Sequence, residues 1–134
     1  MCGFTVGWQN THIRPLIGYV PDFLGAYDDM LVREYLQFFA SCYGITGSRR
    51  TQVVDDALSL TDLGGKAEAS ISGLSRGMSQ RLAVARVLLH DPEVLLLDEP
   101  ASGLDPRARV EMRELLRTLR DLGKTILISS HILH

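Results

Sequence analysis

The sequence predicts an α/β fold built on a parallel sheet, and three observations carry that expectation. Residues 94–100, VLLLDEP, run four apolar side chains straight into two carboxylates and a proline, the pattern of a strand buried on both faces whose end turns polar. Two shorter apolar runs, LIGYV at 16–20 and TILIS at 125–129, read as further strands. Segments with helical spacing of apolar residues occupy most of the remaining chain, and 134 residues suffice for one core of ordinary size.

In chain order, residues 1–15 hold Gly3, Gly7, Trp8 and Asn10 without clear periodicity and read as a short strand followed by a loop. LIGYV is stopped by Pro21, and Asp22 stands just past its end, where a turn former is the commoner use of a carboxylate. Asp28 or Asp29 is placed to cap a helix from Leu31, whose apolar face runs through Tyr35, Phe38, Phe39 and Cys42 until Gly44 ends it. A second amphipathic helix starts at Ser48 and carries Val53, Val54, Ala57, Leu58 and Leu60. LSRGMSQR at 74–81 opens a third, continuing through Leu82, Ala85, Val87, Leu88 and Leu89 to His90, and Asp91-Pro92 stops it. After VLLLDEP, Asp105 is a good N-cap with Pro106 at the first helical position. Ala108, Met112, Leu115, Leu116, Leu119 and Leu122 then form a stripe that Gly123 terminates.

Composition narrows the function classes. Hydrophobic residues at 46% and charged residues at 22% are values of an ordinary globular chain rather than a disordered one. A net charge of -2 offers no nucleic-acid footprint. Cys2 and Cys42 lack the spacing of a zinc site or a disulfide framework, which suits a reducing compartment. No apolar stretch approaches the length of a membrane span, so a membrane role would act through a partner. No basic stretch followed by an apolar core opens the chain, and no signal peptide is expected.

The chemistry concentrates at the ends of the strands, where ligands of doubly wound sheets sit. Asp98 and Glu99 emerge there together, a costly arrangement unless the pair does chemistry. One reading has Asp98 holding Mg²⁺, directly or through water, with Glu99 polarising the water that attacks a γ-phosphate; the other is a plain Asp-Glu-Pro turn. Ser75 and Gly77 at a helix start supply a hydroxyl, free backbone N–H groups and a positive dipole end, as an anion site needs. Taken alone, that segment is better read as an ordinary serine cap. His131, two residues beyond TILIS, is a catalytic candidate by its place at a strand end beside the paired carboxylates. Gly64-Gly65-Lys66 and Gly123-Lys124-Thr125 imitate a phosphate loop without its earlier glycine, and the second also stands in the reverse order, after a helix and before a strand.

The succession LSRGMSQR, VLLLDEP, SGLD and SSH at these spacings resembles the ATP-binding-cassette ATPases, and the resemblance reaches back to LIGYVPD. It implies part of a parallel P-loop NTPase sheet, with residues 31–90 as the family's helical subdomain and residues 1–30 and 91–134 as parts of the ATPase core. It implies ATP and Mg²⁺ as cofactors, Glu99 as general base, Asp98 serving the metal and His131 contacting the γ-phosphate. Ser75, Arg76, Gly77 and Met78 would form the signature loop that closes on ATP held by a second ATP-binding domain. Ser102 to Asp105 would cross the dimer. A membrane permease is the implied partner, and the place is the inner face of the cell membrane. GYVPDF, YDD and EYLQFFASCYGI are similar to bacterial drug and multidrug exporter subunits.

Three departures stand out. Arg76 and Met78 replace the usual glycine and glutamine of the signature loop, and Asp22 stands where most members carry glutamine. The third is the lack of any Gly-x-x-x-x-Gly-Lys-Ser/Thr in the 134 residues, so the chain is expected to be an internal piece of an ATPase domain. Two other readings compete with a transporter ATPase. A soluble cassette ATPase of DNA repair or translation is disfavoured because no coiled coil, zinc cysteines or basic tract interrupts the helical segment. A non-catalytic interaction module would keep only the dimer and permease contacts.

Overall fold

The computed structural model describes residues 17–20 and 29–129. Three parallel strands, β1 (Ile17–Val20), β2 (Val94–Asp98) and β3 (Thr125–Ser129), lie in the order β1-β2-β3. Their register pairs Gly18 with Leu95 and Asp98 with Ser129, so β2 and β3 end level with each other. Four helices fill the intervals: α1 (Val32–Cys42), α2 (Gly47–Leu60), α3 (Arg76–Leu88) and α4 (Pro106–Asp121). Two short 3₁₀ turns, Gly64–Lys66 and Ile71–Gly73, lead from α2 to α3.

The buried residues form two clusters that meet in α3. Leu82, Ala85 and the following Leu89 pack with α1 and α2, around Tyr35, Leu36, Val54 and Leu58. Ala83, Val84 and Val87 pack with Leu95 and Leu97 of β2 and with Met112, Leu115 and Leu119 of α4. A helix apolar on both sides is the form expected of one packed between two layers. Gly18 lets β1 approach this helix, since a Cβ there would lie 3.0 Å from Pro92 Cγ and 3.1 Å from both Leu95 Cδ2 and Val87 Cβ.

Several details differ from what local sequence suggests. The buried face of α1 is Val32, Tyr35, Leu36 and Ala40, so of the expected stripe Tyr35 is in the core and Phe39 packs against it, whereas Phe38 is 50% exposed and Cys42 is exposed. Ala40 is fully buried, and Phe39 lies partly covered beneath the Arg86 guanidinium, 5.2 Å from its ring centroid. Asp29 does not cap α1, and Asp28 lies outside the described residues. The Val32 and Arg33 amides donate instead to the carbonyls of Ala69 and Ala67, both at 2.9 Å, and the Leu31 amide donates to the Glu34 carboxylate at 2.9 Å. Leu122 is 63% exposed because it caps α4 beyond its last buried turn. In β3, Leu127 and Ile128 are about half exposed rather than covered on both faces; among the described elements the helix packed against this strand is α4, which covers only part of it.

Candidate active site

β2 delivers Asp98 at its carboxyl end because Val94, Leu95 and Leu97 are held in the core. The Ser129 hydroxyl donates to Asp98 Oδ1 at 2.9 Å and the Tyr19 phenol to Oδ2 at 3.4 Å, so all three strands contribute to the orientation of this carboxylate. Glu99 follows with φ +47°, in the left-handed region that a glutamate rarely adopts. Its amide donates to the Ser129 carbonyl at 3.0 Å, which fixes the backbone at the turn. Glu99 lines a cleft of about 560 Å³ together with Ser102, Gly103, Arg109, Arg113 and Ser129.

The turn from Glu99 to Leu104 is closed by Ser102 N–H to the Glu99 carbonyl at 3.0 Å and Leu104 N–H to the Ala101 carbonyl at 3.3 Å. Asp105 then caps α4, its carboxylate accepting from the Ala108 amide at 2.8 Å. Ser75 caps α3 in the same way, its hydroxyl oxygen accepting from the Met78 amide at 3.2 Å. The ordinary capping role of Ser75 is therefore present, and it leaves the hydroxyl hydrogen and the amides of Arg76 and Gly77 outside the cap bond.

The starts of α3 and α4 lie side by side. A Cβ on Gly77 would stand 2.9 Å from Ala108 Cβ, so this glycine has a packing reason beside any ligand role. Arg81, with only 12% of its side chain exposed, donates to Glu111 at 2.9 Å, and Arg107 donates to the other oxygen of Glu111 at 3.1 Å. Ser75, Gly77, Met78, Asp105 and Arg107 line a common cleft of about 530 Å³. Arg76 reaches from the start of α3 to the Ser102 carbonyl at 2.9 Å, a contact that sequence spacing alone does not disclose.

Of the sequence-predicted site residues, Asp98 and Glu99 thus stand at one strand end, and Ser75, Arg76, Gly77, Met78 and Asp105 stand together at two neighbouring helix starts. Asp22 and His131 lie outside the described residues. Neither phosphate-loop imitation is free to act as one: Gly64–Lys66 is a 3₁₀ turn following a helix, and Lys124 is paired with Asp91 and donates to the Pro92 carbonyl at 2.7 Å. No group of three or more His, Cys, Asp or Glu among the described residues forms a metal cage. A single oriented carboxylate does suit Mg²⁺, which commonly takes one or two protein carboxylates alongside substrate phosphates.

The chain matches the ABC transporter family over residues 5–102. It is 44% identical over 133 residues to the Nod factor export ATP-binding protein I of Burkholderia pseudomallei strain 1710b, covering 99% of this chain and 44% of that protein. The protein of the same name from Burkholderia orbicola strain AU 1054 is 43% identical, with the same coverage. Among solved structures, cbiO1 from Clostridium perfringens, part of the ABC transporter complex cbiONQ, superposes with a TM-score of 0.81 at 32% identity over 90% of this chain and 49% of that one. The chain spans rather less than half the length of the relatives it matches.

Proposed function

Since this chain belongs to the ABC transporter family, we propose that it is part of an ATP-binding subunit that hydrolyses ATP to power export through a membrane permease. The observation that carries this reading is Glu99: a glutamate in a strained conformation at the end of the central strand, beside an oriented aspartate and facing a cleft. Its role is to orient the attacking water and take its proton. Asp98 would hold Mg²⁺, which when bound neutralises phosphate charge. His131, two residues past β3, is proposed to contact the γ-phosphate, and Asp22 to occupy the position of the family's metal-coordinating glutamine.

Ser75, Arg76, Gly77 and Met78 form the loop turned toward a second ATP-binding domain, with the Ser75 hydroxyl and the backbone amides of Arg76 and Gly77 donating to a phosphate. Asp105 and the residues before it line the contact between the two domains, and residues 31–90 act as the helical subdomain. The names of the relatives support export as the direction, and no described helix is long and apolar enough to cross a membrane, which agrees with docking on a separate permease at the inner face of the membrane. In the full-length protein, Glu99→Gln should retain ATP binding and lower turnover on the order of a hundredfold or more. Turnover near the parental rate would remove Glu99 from the mechanism.

A further inference from the structure

The two carbonyls that flank Gly103 are each gripped by an arginine from a different helix. Arg76, the first residue of α3, donates its Nε–H to the Ser102 carbonyl at 2.9 Å. Arg109, in the first turns of α4, donates an Nη2–H to the Leu104 carbonyl at 3.0 Å. Between them Gly103 holds φ +72°, and a Cβ there would lie 2.5 Å from Arg76 Nε, 3.0 Å from Cζ and 3.2 Å from Nη2. The guanidinium thus fills the place of the missing side chain, and glycine is required both for the backbone conformation and for the arginine to seat. Leu104 is buried and anchors the far end of the same turn, while the near end is Glu99.

We propose that Arg76 is a positioning residue for Glu99: by holding the Ser102 carbonyl it sets the turn from Glu99 to Leu104 and ties the start of α3 to the catalytic strand end within one subunit. A planar guanidinium with its donors in a fixed fork suits this task, because it fixes a direction as well as a distance. A lysine presents a single flexible ammonium and fixes only the charge. The Gly77–Ala108 contact and the Arg81–Glu111 ion pair keep α3 and α4 together, so the arginine acts between bodies that are already held and adjusts only the turn. A small displacement of Glu99 relative to the attacking water would be expensive for the rate and nearly neutral for binding.

The catalytic consequence rests on the function proposed above, but the contact itself does not, and two measurements on the full-length protein separate them. Arg76→Met keeps the stem and deletes the donors, and Arg76→Lys keeps the charge. Amide hydrogen exchange at Ser102 and Leu104 should accelerate by about tenfold in Arg76→Met, less in Arg76→Lys, with Leu36 and Ala40 of α1 unchanged. In steady-state hydrolysis Arg76→Met should lower kcat by about tenfold with KM for Mg-ATP within about twofold of the parent. Gly103→Ala, whose methyl group unseats the guanidinium, should show the same two effects and supplies the test if Arg76→Met does not fold. Exchange at Ser102 and Leu104 that stays at the parental rate overturns the contact. Faster exchange with unchanged kcat overturns the coupling to Glu99. Hydrolysis that also survives Glu99→Gln would instead strike at the ATPase reading and leave the contact standing.

Discussion

Glu99 with φ +47° costs on the order of 1 kcal/mol relative to a relaxed residue, and it is held there by a backbone bond to Ser129 and by the closed turn that follows. Strain of that kind beside a cleft agrees with a residue kept for its chemistry. His90 illustrates a different economy. Its ring lies 4.4 Å from that of Tyr43, its Nδ1 is buried without a partner, and burial lowers its pKa against an opposing bond to the Ile17 backbone. Burial likewise pushes the Tyr43 hydroxyl up. The unfolded chain takes up a proton on His90 at about pH 6.5 and the folded chain only at lower pH, so acid favours the unfolded state. The stability contributed by neutral His90 is complete above about pH 6.5 and is lost as the pH falls below it. Denaturant titrations between pH 7 and 5 should therefore show a shallower decline for His90→Gln than for the parent, and parallel declines would mean that this ring is not linked to folding.

At the scale of elements, the close approach of β1 to α3 depends on Gly18. Adding a methyl group must displace Pro92, Leu95 and Val87, all near 3.0 Å, so Gly18→Ala should destabilise the chain by about 1–3 kcal/mol. Gly64→Ala, with nothing within 4 Å of the new Cβ, should stay within about 0.5 kcal/mol. Equal urea midpoints for the two variants would contradict the packing. What the sequence made legible here follows the range of the interaction. The caps of α3 and α4 were readable because Ser75 and Asp105 bond amides three residues away. The acceptors of the Val32 and Arg33 amides at the start of α1 were not, because they are the carbonyls of Ala69 and Ala67, more than thirty residues downstream. The strand runs and the Asp98-Glu99 pair could be read directly, whereas the backbone of Glu99, the reach of Arg76 and the buried face of α1 depend on neighbours that no local pattern names.

For the whole molecule, α3 is the member common to both hydrophobic clusters, and it carries the proposed signature loop at the end that faces α4. Because Ser75, Gly77 and Asp105 line one cleft while Glu99 lines another, the proposed division of labour gives each subunit one half of a site that its partner completes. In the full-length protein Glu99→Gln should then trap ATP and form a stable dimer, since binding persists while hydrolysis stops. Adding Ser75→Arg removes the hydroxyl bonded to Met78 and places a bulky side chain where a phosphate oxygen would meet its donor. If Ser75 were only a cap, the loss would be about 1 kcal/mol of stability with association intact. Under the shared-site reading the ATP-dependent dimer disappears while the monomer stays folded. Light scattering with Mg-ATP distinguishes the two, and a double variant that dimerises as well as Glu99→Gln alone would exclude Ser75 from the contact with the partner's ATP.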